Sequence, residues 1–202
     1  MRNGKLFVLG DSISIHYGPY LRDMIGNRLE YDRKRGIGEA LKDLDKPTGA
    51  NGGDSIQVLE YLLEEKERGT KYDILLLNCG LHDLRIDNAT GKHQIDIRRY
   101  SENISKITGI AKKMAKRTMW VESTPIRDEI HNRISRDMTR HYNDVVEYNR
   151  VADRIMESEG IQVLRLFEFT DSLGADAFCD HAHFTEEVRR LQAAFIADAI
   201  LT

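Results

Sequence analysis

Cysteine is scarce in this chain: Cys79 and Cys179 are the two among 202 residues. Two thiols cannot make a disulfide framework, so both read as reduced packing thiols of a cytoplasmic protein, although the two could lie near each other. An excess of one charge is also missing. The 30 Lys and Arg face 33 Asp and Glu, a net charge of −3, which gives no electrostatic case for a nucleic-acid partner. No apolar run approaches the roughly 20 residues that span a bilayer. The first strand begins within about five residues, which leaves no room for a signal peptide. Internal repeats and low-complexity linkers are absent. What remains is 41% hydrophobic and 31% charged, as expected of one globular domain over residues 1–202.

The apolar run Leu6 to Leu9 breaks at Gly10 and is followed by Asp11 and Ser12, the pattern of a buried strand ending in a tight turn. Tyr17 to Ile25 has helical spacing and stops at Gly26-Asn27. Leu29 to Asp32 is a short strand, and Gly36 to Asn51 is a long loop, a length more often functional than incidental. Asp54 or Ser55 caps a helix running to about Arg68, with Ile56, Leu59, Leu62 and Leu63 on its apolar face. Ile74 to Leu77 is the most continuous apolar run and predicts a central strand covered on both sides. A helix from Ile97 to Lys116, a strand from Thr118 to Glu122 and a helix from Asn143 to Glu157 follow. A strand from Gln162 to Leu166 and a helix from Glu186 to Ile200 close the chain. The stretch Ile126 to Arg140 is charged and without period.

Strands alternating with helices predict an α/β fold, a three-layer α/β/α sandwich around a five-stranded parallel sheet in the flavodoxin-like order 2-1-3-4-5. In such a sheet, polar groups that follow the strands converge on one edge. Four do so here: Gly10-Asp11-Ser12, Asn51-Gly52-Gly53-Asp54, Gly80-Leu81-His82-Asp83 and Asp180-His181-Ala182-His183.

A serine, a carboxylate and a histidine at one mouth are the parts of nucleophilic acyl transfer. The Ser12 hydroxyl needs a base, and His183 can take its proton and later return it to the leaving group. Asp180, three residues earlier, can hold the imidazole in the right tautomer. The backbone N–H groups of Ser12 and Gly53 can form an oxyanion hole, and Gly53 has no Cβ to keep a substrate away. Asp11 reads as structural, fixing its turn by local hydrogen bonds. Each of these residues also has a plainer reading: Ser12 as a helix N-cap, Gly53 as a turn glycine, Asp180 and His183 as a polar turn before the last helix.

Taken together, Gly10-Asp11-Ser12, Gly53 with Asp54-Ser55, Gly80-x-x-Asp83 and Asp180-x-x-His183 resemble blocks I, II, III and V of the SGNH (GDSL) hydrolases, in order and spanning residues 5 to 200. The resemblance implies a serine esterase or lipase-like hydrolase without metal or cofactor, with Ser12, Asp180 and His183 as triad and Asp83 as a supporting residue. The sequence departs from the family where Gly-x-Asn-Asp is usual: His82 stands in place of the Asn that serves as third oxyanion donor. Asn78, two residues before Gly80, is out of register and should lie at a strand end. We therefore expect His82 to act as the donor.

Two rival chemistries lack their parts. An α/β-hydrolase elbow needs Gly-x-Ser-x-Gly, and the residue two after Ser12 is Ser14. A His181-x-His183 metal pair lacks two further ligands in register, so His181 reads as a rim or surface residue. Arg127, His131, Arg133, Arg136 and Arg140 could border the pocket and meet a polar or anionic substrate, or form a solvated surface. The expected substrate is a small-molecule ester, with small acyl groups such as acetyl on a polar or carbohydrate alcohol. Longer acyl chains, as in a lysophospholipase or thioesterase, or a catalytically silent ligand-binding domain, are the alternatives.

Overall fold

A computed structural model describes residues 4–134 and 137–202. The main sheet is built from β1 (Lys5–Leu9), β2 (Glu30–Arg33), β3 (Tyr72–Leu77), β5 (Ala115–Val121) and β7 (Gln162–Leu164), all parallel in the order β2-β1-β3-β5-β7. Counted among themselves, these five strands follow the expected order 2-1-3-4-5. Two short strands, β4 (Ile86–Asp87) and β6 (Met138–Thr139), pair antiparallel outside the sheet.

Helices cover both faces. On one, α1 (Ser12–Ile25) packs against α8 (Glu186–Leu201), which also meets α7 (Leu166–Asp171). On the other lie α3 (Ser55–Glu67), α4 (Ile97–Met114) and α6 (Tyr142–Ser158), packed in that order. Two short helices, α2 (Ile37–Ala40) and α5 (Asp128–Ile134), sit in connections. Leu75, Leu76 and Leu77 are fully buried in the central strand, as their unbroken apolar run requires. Trp120 of β5 and Tyr100 of α4 fill the layer beside them. Among the described residues no helix is long and apolar enough to cross a membrane.

Several boundaries differ from expectation. α1 begins at Ser12 rather than Tyr17, because Asp11 is its N-cap and accepts from the Ile13 N–H at 3.0 Å. The Gly36–Asn51 loop contains α2, and the stretch after Ile126 contains α5 and β6. These pieces are too short to show a period. α4 gives way to β5 at Ala115 with no loop between them, and the last strand stops at Leu164 because Leu166 already opens α7. The inward stripe of α3 is also rotated: Val58 and Leu62 are buried while Leu63 is exposed. Cys79 is buried in the core and Cys179 is exposed; both are free thiols.

Candidate active site

The four polar segments meet at the carboxyl ends of the strands, held by main-chain contacts. The Gly52 N–H donates to the Gly10 carbonyl at 2.9 Å, and a Cβ at Gly52 would stand 3.1 Å from that oxygen. Glycine there lets the second segment touch the first. Asn78 joins the next strands: its N–H donates to Leu9 and its side-chain Nδ2 to Val121, each at 3.0 Å. Its amide is therefore committed at the strand end, as its register suggests.

Ser12 is the first residue of α1, so its N–H is one of those a helix leaves without an internal partner. Its hydroxyl lies 3.0 Å from Nε2 of His183. On the far side of that ring, Nδ1 lies 2.8 Å from Oδ2 of Asp180. A carboxylate accepts the Nδ1 proton, which leaves Nε2 as the acceptor for Ser12. Asp180 also accepts the N–H groups of Ala182 and His183 through Oδ1, at 2.8 and 2.7 Å. The segment is pinned at both ends, Cys179 N–H to the His183 carbonyl and Thr185 N–H to the Ala177 carbonyl, each at 2.9 Å. Partial burial raises the Asp180 pKa, but the His183 ring and the two N–H groups outweigh it and hold the carboxyl well below its usual range. Ser12 and His183 are buried, whereas the Asp180 side chain is 43% exposed.

Asp11 is buried and has the local role expected of it, capping α1; burial pushes its carboxyl up. Asp83 is fully buried and accepts the Ser55 N–H through both oxygens, at 2.9 and 3.0 Å.

Gly53 departs from expectation in two respects. Its N–H donates to Oδ1 of Asn51 at 3.0 Å, so an acceptor already holds it. Its φ is +74°, and a Cβ would fall 2.0 Å from Oε1 of Gln57. Gln57 completes a capping box with Asp54 at the start of α3. Glycine is required here by the neighbouring carboxamide, whatever a substrate needs.

His82 is 2% exposed, and burial, followed by the charges of Arg85 and Arg140, pushes its imidazole far below the usual value. It is a neutral ring. Its Nδ1 is sealed in without a partner, whereas Nε2 is not sealed off in this way.

Three further histidines enter the neighbourhood. His16, one helical turn after Ser12, sets its ring edge-on to His183 with centroids 5.1 Å apart, and burial and Arg189 lower it to about 4. Apolar spacing counted from Tyr17 leaves that i, i+4 relation to Ser12 invisible. His181 takes the rim position of the two expected for it, half-buried beside the relay. Its Nδ1 lies 2.8 Å from Nδ1 of His131, which burial lowers to about 3, and its ring is 6.2 Å from His183. Of the charged stretch after β5, His131 and Arg140 are buried, Arg127 is half-buried and Arg133 is exposed; Arg136 lies outside the described residues. Among the described residues, no group of three or more His, Cys, Asp or Glu is placed to hold a metal ion.

No protein-family model and no curated protein matches the sequence. Solved structures do match in three dimensions. A member of the lipolytic protein G-D-S-L family from Veillonella parvula superposes with a TM-score of 0.68 at 14% identity, covering 98% of each chain. The lipase/acylhydrolase from Enterococcus faecalis gives 0.68 at 18% identity, over 99% of this chain and 95% of its own. An acetyl xylan esterase from Geobacillus stearothermophilus gives 0.66 at 15% identity, over 98% and 93%. With four polar segments gathered at one sheet edge, the chain has the fold of the GDSL (SGNH) hydrolases over nearly its whole length.

Proposed function

We propose that the protein is a serine hydrolase that cleaves carboxylic esters through an acyl-Ser12 intermediate. The observation that carries the reading is the continuous relay from Ser12 Oγ through His183 to Asp180, at 3.0 and 2.8 Å. Ser12 Oγ attacks the ester carbonyl carbon while His183 Nε2 takes its proton. The tetrahedral oxyanion collapses, the C–O bond breaks, and His183 returns the proton to the departing alcohol. Water, deprotonated by His183, then attacks the acyl carbon and releases the acid and Ser12. Asp180 holds the ring and stabilises its charged form in both halves.

For the oxyanion, the N–H of Ser12, which has no acceptor among the described residues, and His82 are the proposed donors. His82 Nδ1 has no acceptor, so a proton there would be buried unpaired, which favours the tautomer with Nε2–H. The Gly53 N–H could join them only by sharing or leaving Asn51.

A small acyl group, acetyl above all, on a polar alcohol is the favoured substrate class. Polar groups surround His183, among them Asp180, His181 and, across His181, Asp45 at 3.8 Å. One of the similar structures is an acetyl xylan esterase. A cavity of about 570 Å³ is the ground for the second reading, longer acyl chains. Ile15, Pro19, Ile37 and Leu41 line one part of it beside His16, the neighbour of His183, while charged residues such as Arg22 and Arg189 line the rest.

Hydrolysis of p-nitrophenyl esters from acetyl to octanoyl, by wild type and Ser12→Ala, tests both points. Turnover that falls with chain length and vanishes in Ser12→Ala is expected. Turnover that survives Ser12→Ala overturns the mechanism. A preference for octanoyl moves the substrate to the longer chains.

A further inference from the structure

Among the described residues three arginines are buried, and in one of them both terminal nitrogens find acceptors, although its Nε does not. Arg33 donates to the Ser14 carbonyl, the Ser14 hydroxyl and the Ala50 carbonyl at 3.0, 3.2 and 3.1 Å. Arg85 and Arg140 differ. Arg85, 6% exposed, gives one terminal N–H to the Asp45 carbonyl at 2.5 Å, and its Nε is sealed in without an acceptor. Arg140, 3% exposed, donates from Nε to the Leu81 carbonyl at 3.0 Å, and its two terminal nitrogens have no acceptor among the described residues. Neither guanidinium forms an ion pair among the described residues. The carboxylate that both feel most is Asp45, more than half exposed and turned toward His181.

Burying a cation without a partner is costly, and two near one another also repel. Burial and the charge of Arg85 together lower Arg140 to about 10. Their position gives this arrangement a purpose. Leu81, which holds Arg140, directly precedes His82. The charge of Arg140 is felt at Asp11, the residue before Ser12, and at His82, His131 and His181. Guanidinium groups are matched in shape and charge to carboxylates and phosphates.

We propose that Arg85 and Arg140 form a receptor for an oxyanion, a carboxylate or phosphate, carried by the ester substrate close to the bond that Ser12 attacks. The proposal rests on the hydrolase reading for its substrate but not for its anion. Esters of acidic sugars or of other acidic alcohols are then preferred over neutral ones.

The test has two arms. In the first, calorimetry of the full chain measures binding of glucuronate, glucose 6-phosphate and glucose. At least one anion is expected to bind about tenfold or more tightly than glucose, and to lose that margin in Arg140→Gln and Arg85→Gln. Tighter glucuronate names a carboxylate, and tighter glucose 6-phosphate names a phosphate. Anions that bind no better than glucose to wild type overturn the receptor, a result that needs no variant to fold.

In the second arm, kcat/KM is compared for phenyl acetate and for 3- and 4-acetoxybenzoate. The ratio of acidic to neutral ester is expected to fall about tenfold or more in Arg140→Gln. An unchanged ratio, with both esters losing equally, assigns Arg140 to holding the site together and overturns the proposal. If wild type hydrolyses neither ester, the hydrolase reading fails while the binding arm still decides the receptor.

Discussion

The main-chain N–H of Ser55 donates to both carboxylate oxygens of Asp83, so the turn after β3 is fastened to the first turn of α3. Asn103 of α4 adds a bond from its Nδ2 to the Ser55 hydroxyl at 2.9 Å. Burial drives Asp83 up to about 8, and the Ser55 bonds oppose this only in part.

A raised carboxyl favours the protonated form in the folded state. Its contribution to stability is complete below the ordinary carboxylate range and is lost as pH rises toward 8. The buried histidines His16, His82 and His131, whose pKa values are lowered, work in the opposite direction below about pH 6.5. We therefore expect stability in urea to decline between about pH 6.5 and pH 8, with a slope from Asp83 of at most about 1.4 kcal/mol per pH unit. Asp153, raised to about 7 by burial and the adjacent Glu122, adds to the decline. Asp83→Asn should therefore flatten the profile without levelling it. Identical slopes in wild type and Asp83→Asn would show that the carboxyl titrates normally.

His82 offers a test of the oxyanion hole. Loss of one such donor costs about 10²–10³ in turnover, so His82→Ala is expected to lower kcat by that factor with little change in KM. His82→Asn, which brings back a neutral donor, should recover about tenfold or more of it. A loss of only a few-fold in His82→Ala would remove His82 from the mechanism. Because burial keeps the ring neutral, no step in the pH–rate profile between pH 5 and pH 8 should disappear with His82.

Gly53→Ala would put a methyl group against Gln57 and Pro47 with φ at +74°. The capping box of α3 and the left-handed backbone are both affected, at about 1 kcal/mol or more each. Thermal melts should show a loss of about 2 kcal/mol, part of which returns in Gly53→Ala with Gln57→Ser, where the carboxamide is gone. Full stability in the single variant would mean that Gln57 has free room to turn away.

The sheet and the segments of the relay are legible in the sequence because their signals are local. The central strand shows itself in the unbroken apolar run Ile74-Leu75-Leu76-Leu77, and Asp180 and His183 lie within one turn of each other. The start of α1 is not legible from apolar spacing, which begins at Tyr17; the deciding event is the Asp11 carboxylate reaching the Ile13 N–H. The engagement of the Gly53 N–H by Asn51 depends on how a loop folds back, which no spacing reveals. Arg140 and Arg133 are alike in sequence, yet one is buried and the other exposed. That difference arises from the Leu81 carbonyl, 59 positions away from Arg140.

Ser12 and His183 are 171 positions apart in the chain. The nucleophile opens α1, the base lies just ahead of the cap of α8, and these two helices pack against one another. During refolding the relay can close only once the last helix has docked on the first, a contact that must first overcome the entropy of joining distant segments. Recovery of ester hydrolysis is thus a clock for the final closure of the chain, and secondary structure will return no later than activity does.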